Sequence, residues 1–516
     1  MQVTALGLPV ISSPRKPRQP CVHFLAEESF EGQGCAVPLN SRPQVLGERL
    51  KAAFTKYYCC PDLPISLRLG GPLVNGPGHF RWGDGRVCYG RTSSGHVSAS
   101  ATGNLYDALD DTASRNSEVM LPFDPDEVIE NLQWERYSEH SRSSESVKDK
   151  AIWSIYYAVR PLLGVALRKH LQRMRLRAWK SLAFPRWPVD CTVEMIQQQL
   201  MALAIRASGA ESIPFIWFWP RGYRGCIIVT HDVETAYGRD LCGDLMDVDD
   251  SFGFKASFQV VPESRYEVPR SYLNEIKRRG FEVNVHDLSH DGRLFNEQTE
   301  FLRRATRINQ HAKAFGASGF RAAVLYRNPE WLSELEFDYD MSIPNVAHLD
   351  PQRGGCCTVL PYFIDDMVEL PLTSIQDYAL FHFLGDYSTK LWEQQIEAIL
   401  QQNGLITILV HPDYVLEKRA RSTYEALLRH LACVREERNL WAPLPRDVAA
   451  WWRQRSKMKL VKHGQSWVIE GEGKEDAVIA YARLEGDHVV YSLGSPEQQQ
   501  THLRIANGTE DIRCIG

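Results

Sequence analysis

The sequence predicts an α/β protein organised on a parallel sheet, most simply a barrel, and three observations lead there. Between Cys226 and Glu436 short apolar runs alternate with helical stretches over about 210 residues, the rhythm of β-α-β units. Acids and histidines fall repeatedly at the ends of those apolar runs, where parallel α/β proteins carry their chemistry. The chain on either side changes character, with a mixed region before and short alternating strands after.

At 516 residues the chain is too long for one ordinary core, so two or three domains are expected. Residues 1–45 read as a poorly ordered lead-in, and 46–210 as an accessory α+β and helical region. Residues 211–452 form the catalytic barrel, and 453–516 a small β-rich antiparallel appendage. The composition, 44% hydrophobic and 24% charged, is that of a soluble globular protein. A formal charge of −5 gives no electrostatic case for a nucleic-acid partner. No apolar run is long enough for a transmembrane helix, and no secretory signal is visible in the Pro-rich start. A cytoplasmic protein with reduced thiols is therefore expected.

Taken in order, Gln44 to Tyr58 carries a short helical pattern. Phe80 to Tyr89 reads as a hairpin turning at Asp84-Gly85, residues suited to positive φ. Arg91 to Asn116, rich in Ser, Thr, Gly and Asp, reads as a linker or mobile loop. Asp124-Pro125-Asp126-Glu127 opens a helical stretch reaching Leu182, with Asp124 as N-cap and Pro at the first helical position. Arg168 to Lys180 is basic. It reads first as a solvated helix face, and second as peripheral contact with the inner face of a membrane or with an anionic polymer. A helix follows from Thr192 to Ala207, then an aromatic strap, Ile213 to Pro220, suited to core packing.

The barrel strands are expected at Cys226 to Glu234, Lys255 to Val261, Phe281 to Val285, Gly319 to Val324, Val368 to Leu372 and Leu405 to Val410. Helices are expected at Arg270 to Arg279, Glu297 to Phe315, Trp392 to Gln402 and Tyr424 to Glu436, several closed by glycine. After Trp452, the segments Trp467 to Glu470, Ala477 to Arg483 and His488 to Leu493 alternate as short strands.

Four strand-end elements carry the chemistry. In Thr230-His231-Asp232-Val233-Glu234 two carboxylates stand two residues apart, so strand geometry turns both to one face. In His286-Asp287-Leu288-Ser289-His290 two histidines four apart can meet on one turn. With a carboxylate from a neighbouring strand they make a set suited to a divalent first-row metal. Arg321, ending the Gly319-Phe320-Arg321 run, can pair with a carboxylate and tune its basicity. His411 in Val410-His411-Pro412 is placed to act as a general acid.

In this order the four elements resemble the polysaccharide deacetylases, the family-4 carbohydrate esterases with a NodB-like homology domain. The resemblance covers Gly225 to Trp452. It implies a distorted (β/α)7 TIM-like barrel and a metal-dependent hydrolase acting on a carbon–nitrogen bond that is not a peptide. The substrate implied is an N-acetylated amino sugar in a polysaccharide or its precursor, as in exopolysaccharide biosynthesis, with release of acetate. It further implies Asp232 as base, Glu234, His286 and His290 as metal ligands, His411 as acid and Arg321 as the residue tuning the base. The metal implied is Zn2+, with Co2+, Mn2+ or Ni2+ as alternatives. The opening motif departs from the family's adjacent aspartates, and the family's Asp-x-x-Asp-Trp motif is not present as such. Asp340, in Tyr339-Asp340-Met341-Ser342, is the stand-in assigned as the arginine's partner. Tyr326 and Trp331, in the loop after Arg321, are assigned to the substrate, with the Tyr326 backbone N–H or another loop group as the oxyanion donor. Two other readings stand beside this one: a small-molecule amidohydrolase of the cyclic imide or ureide type, and a catalytically silent glycan-binding protein.

Overall fold

The computed structural model describes residues 52–138 and 179–494, apart from 64, 116 and 465. The lead-in and most of the basic Arg168–Lys180 stretch lie outside the described residues.

Eight strands form one curled sheet: β1 (Cys226–Val233), β2 (Ala256–Val260), β3 (Glu282–His286), β4 (Gly319–Arg321), β5 (Tyr339–Asp340), β6 (Tyr362–Ile364), β7 (Met367–Glu369) and β8 (Leu405–Val410). Their order is β6–β7–β5–β4–β3–β2–β1–β8. Every neighbouring pair is parallel except the β6–β7 hairpin. All residues of β1, β2, β3 and β8 are buried, and the apolar and β-branched runs of β1 and β8 are those of strands covered on both faces. The segment after β7 meets β8 through side-chain hydroxyls in place of a backbone ladder. Thr373 Oγ1 donates to the Leu405 carbonyl at 2.7 Å, Ser374 Oγ to Thr407 at 2.6 Å, and Thr407 Oγ1 to Pro371 at 2.8 Å.

The main helices are α1 (Thr192–Ser208), α2 (Cys242–Ser251), α3 (Arg270–Arg278), α4 (Gln298–Phe315), α5 (Lys390–Leu400), α6 (Lys418–Glu437) and α7 (Pro445–Arg455). In α4 the side chain of Glu297 caps the N-terminus, and Gly316 takes the left-handed conformation at the C-terminus. Phe301, Ala305, Ile308, Ala312 and Phe315 are its buried stripe, the spacing of one helical face. Helix α2 is absent from the expected elements because four acids in ten residues dilute its apolar pattern. The expected strand from Gly319 to Val324 stops at Arg321: Val324 and Leu325 take positive φ, 59° and 54°, and turn the chain.

The hairpin is present, with Phe80 opposite Cys88 and Arg81 opposite Val87. Asp124 caps a helix over Pro125–Gln133. One apolar cluster joins this N-terminal region to the sheet, running from Phe54, Tyr58, Leu67, Trp82 and Phe123 through Trp217 to Ile228, Met341 and Leu405. The antiparallel strands after Trp452 include Ile479–Glu485, which pairs with Ile213–Ile216 ahead of the sheet. No described helix is long and apolar enough to cross a membrane.

Candidate metal centre and active site

Strand β1 delivers two carboxylates to the same side. Asp232 is its penultimate residue, and Glu234 follows two positions later, on the same face of the extended chain. Tyr266 fixes this strand end by donating to the Val233 carbonyl at 2.5 Å and accepting from Val261 N–H. His286 ends β3. His290 follows after a turn in which Asp287 and His290 both have positive φ, 56° and 52°. Glu234, His286 and His290 converge, with their ligand atoms within 4.8 Å of one another. Glu234 Oε1 lies 2.9 Å from His290 Nε2 and 3.9 Å from His286 Nε2. The longer glutamate side chain thus reaches the pair from one residue beyond an adjacent second acid.

These residues fit a divalent cation. The Nε2 atoms of both histidines are buried without a hydrogen bond. His286 Nδ1 faces the Arg321 carbonyl at 3.1 Å, so its proton belongs there and Nε2 keeps its lone pair. One carboxylate and two imidazoles form a donor set of the type zinc and its neighbours accept.

Asp232 stands beside this cluster. Arg321 donates to Asp232 Oδ1 at 2.8 Å and to Thr230 Oγ1 at 2.9 Å, while its Nε donates to the Met341 carbonyl at 3.0 Å. Asp232 Oδ2 is 3.6 Å from His286 Nε2, turned toward the histidines. Burial works to raise the pKa of Asp232, but the charges of Arg321, His286 and His411 outweigh it and hold the carboxyl below its usual range. The carboxylate is therefore the resting form.

His411 closes the other side, with Nε2 3.4 Å from Glu234 Oε1. Asp377 accepts from its Nδ1 at 2.7 Å and from its backbone N–H at 2.8 Å. Burial alone would lower the imidazole pKa. The charge and hydrogen bond of Asp377, with Glu234 behind them, reverse this and lift it well above the ordinary value. Beneath it Leu409 forms a small buried apolar cluster with Leu325 and Leu372. Leu409 lies on the His411 face of β8, two residues earlier.

The remaining expected site residues are placed elsewhere. Asp340 accepts from the hydroxyl and backbone N–H of Ser342, and it is not among Arg321's hydrogen-bond partners. It faces Glu369 inside the sheet, where burial drives both carboxyls up. The Tyr326 N–H donates to the Ala323 carbonyl at 3.1 Å, which removes it as an oxyanion donor. Its ring lies beside Gly292 in the loop after His290. Trp331 packs on Phe295 and Phe301, with the apolar core under α4. Asp377, the partner of His411, is absent from the residues expected at the site. Its one local signal is that of an acid shortly after a strand, in Ser374-Ile375-Gln376-Asp377.

No protein-family model matches this chain, and no curated protein does. Among solved structures the chain is similar to a protein described as a polysaccharide deacetylase from Mycobacterium smegmatis, at 19% identity and a TM-score of 0.38, over 46% of this chain and 93% of that one. It is similar to Puue allantoinase at 12% identity and a TM-score of 0.37, over 46% and 92%. A third, described as a polysaccharide deacetylase from Pseudomonas aeruginosa PAO1, shares 11% identity with a TM-score of 0.36, over 45% and 91%.

Proposed function

We propose that this protein is a metal-dependent deacetylase that hydrolyses the N-acetyl group of an amino sugar in a polysaccharide or polysaccharide precursor. The observation that carries the reading is one cluster. A candidate Glu234–His286–His290 ligand set lies between a carboxylate held ionised, Asp232, and an imidazole held protonated, His411. The two flanking groups have pKa values pushed apart in the directions that a base and an acid require.

A divalent ion held by Glu234, His286 and His290 would supply Lewis-acid polarisation of the acetamido carbonyl and a water of lowered pKa. Asp232 Oδ2 takes the proton of the attacking water, while Arg321 fixes Oδ1 and keeps the carboxylate oriented. The water oxygen adds to the acyl carbon, and the carbon–nitrogen bond breaks. His411 delivers its Nε2 proton to the departing nitrogen, and Asp377 holds the ring throughout. The products are acetate and a free amine, with no covalent enzyme intermediate. The Leu325–Leu372–Leu409 cluster offers an apolar surface for the acetyl methyl.

The test is acetate release by the full chain from a panel of N-acetylated glycans, with metal analysis of the same sample. Acetate release that needs about one metal per chain supports the reading. A metal-free protein releasing acetate from none of them sinks it.

A further inference from the structure

The chain leaves β5 in a way that builds the cradle of Arg321. Met341 still keeps the ladder, its N–H donating to the Phe320 carbonyl at 3.0 Å. The next two amides turn to carboxyl side chains. Ser342 N–H donates to Asp340 Oδ2 at 3.0 Å, and Ile343 N–H to Glu369 Oε1 at 3.0 Å. Ser342 Oγ donates to Asp340 Oδ1 at 2.7 Å and accepts from Ala322 N–H, next to Arg321, at 2.8 Å. The Met341 carbonyl is left to receive Arg321 Nε at 3.0 Å. Arg321 Nη2 is buried without a partner. Among the described residues, the guanidinium's hydrogen bonds besides that to Asp232 therefore go to Met341 and Thr230.

Asp340 and Glu369 stand opposite each other in the β5–β7 register, and both are wholly buried. Glu369 Oε2 meets no donor among the described residues, while the Asp340 carboxyl lies within hydrogen-bonding reach of Glu369. Arg321, the cation whose charge reaches Glu369, makes its ion pair with Asp232 instead. Two bare carboxylates in contact here would repel at low dielectric. Burial raises both, and the Asp340 charge lifts Glu369 well above the carboxylate range. Asp340 already accepts twice from Ser342, which suits the ionised partner.

We propose that Glu369 carries a proton at neutral pH and donates it to Asp340, and that the pair is a positioning unit holding Arg321 against Asp232 through Met341 and Ser342. Asp340 thus serves the proposed base without touching Arg321. The kinetic consequence rests on reading the site as a deacetylase; the proton and the cradle do not.

Two spectra of the full chain test the two halves. The infrared difference between native protein and Glu369→Gln at neutral pH should hold the carbonyl stretch of a protonated carboxyl, shifted in heavy water. Carboxylate bands in its place overturn the shared proton. In NMR spectra with isotope-labelled arginine, the Arg321 Nε–H signal is assigned by its loss in Arg321→Lys. It should move or broaden in Asp340→Asn and in Ser342→Ala, and thermal melts show which of these folds. An unmoved signal in a folded variant, or failure of both to fold, overturns the positioning role. Acetate release is measured in parallel. Where the native chain releases acetate, Asp340→Asn should lower kcat roughly 10- to 100-fold with KM little changed. Its loss should exceed that of Glu369→Gln, whose amide still donates to Asp340. Equal losses, or none in Asp340→Asn, overturn the pair. No acetate from the native chain sinks the deacetylase reading alone, and the two spectra then decide the pair.

Discussion

Asp377 grips His411 twice, through the ring Nδ1 at 2.7 Å and the backbone N–H at 2.8 Å. The double contact fixes the ring's orientation and points Nε2 at the cluster around Glu234. Asp377→Asn keeps the shape and removes the charge that lifts the His411 pKa. The kcat/KM should fall on the order of 10²–10⁴-fold, and the alkaline limb of its pH profile should move to lower pH. An unmoved alkaline limb would separate Asp377 from the acid's titration. Because the folded pKa of His411 is raised, the pair's stabilisation is full below about pH 6.5, the value for a free imidazole. It is lost as pH rises through the raised value.

On the proposed mechanism Asp232 and Arg321 should govern the acid limb of the same pH profile. Asp232→Asn should leave metal binding intact and cut kcat by roughly 10²–10⁴-fold. Arg321→Lys cannot reproduce the fork that reaches Asp232, Thr230 and Met341 together. With less positive charge fixed on Asp232, its pKa should rise and the acid limb should move to higher pH. Full turnover in metal-loaded Asp232→Asn would refute the base assignment.

The ligand set is tested without any substrate. His290→Ala or Glu234→Gln should lower zinc affinity sharply in a competition titration with a chromogenic chelator, while Tyr326→Phe should not. Binding should also weaken on acidification, because the imidazoles must shed their protons to ligate. Unchanged affinity in both ligand variants would place the metal elsewhere.

Glu135 and Arg327, both fully buried, tie the N-terminal region to the loop that follows Arg321. Arg327 Nε donates to Glu135 at 2.7 Å, and a second guanidinium nitrogen pairs with the other oxygen. A further Arg327 nitrogen holds the Leu325 carbonyl at 2.8 Å, inside the turn of positive φ. Glu135→Ala leaves a buried guanidinium unpaired and should cost about 3–5 kcal/mol in denaturant unfolding. A loss under about 1 kcal/mol would show that water reaches the pair. Removing residues before 210 should likewise prevent cooperative folding, because the apolar cluster from Phe54 to Leu405 is shared.

Much of the sheet was legible because β1 and β8 carry short apolar runs with both faces covered. Leu405–Val410 coincides with its expected boundaries, and Cys226–Val233 ends one residue before the expected Glu234. Elements with diluted patterns were not legible: α2 with its aspartates, the two-residue β5, and the turn at Val324 and Leu325 where a strand was expected.

The sequence by itself determined which residues end the strands, and so that Asp232, Glu234, His286, Arg321 and His411 could meet. Strand period and the local His-x-x-x-His turn are short-range properties that a linear pattern carries. Only the tertiary structure decided their partners. Asp377 lies 34 residues before His411, in a turn without periodicity, and Glu135 lies 192 residues before Arg327. Asp340, the last residue of the two-residue β5, turns to Ser342 and Glu369 instead of Arg321. Which buried charge meets which is set by sheet register and loop path across the whole chain, and no local spacing encodes that.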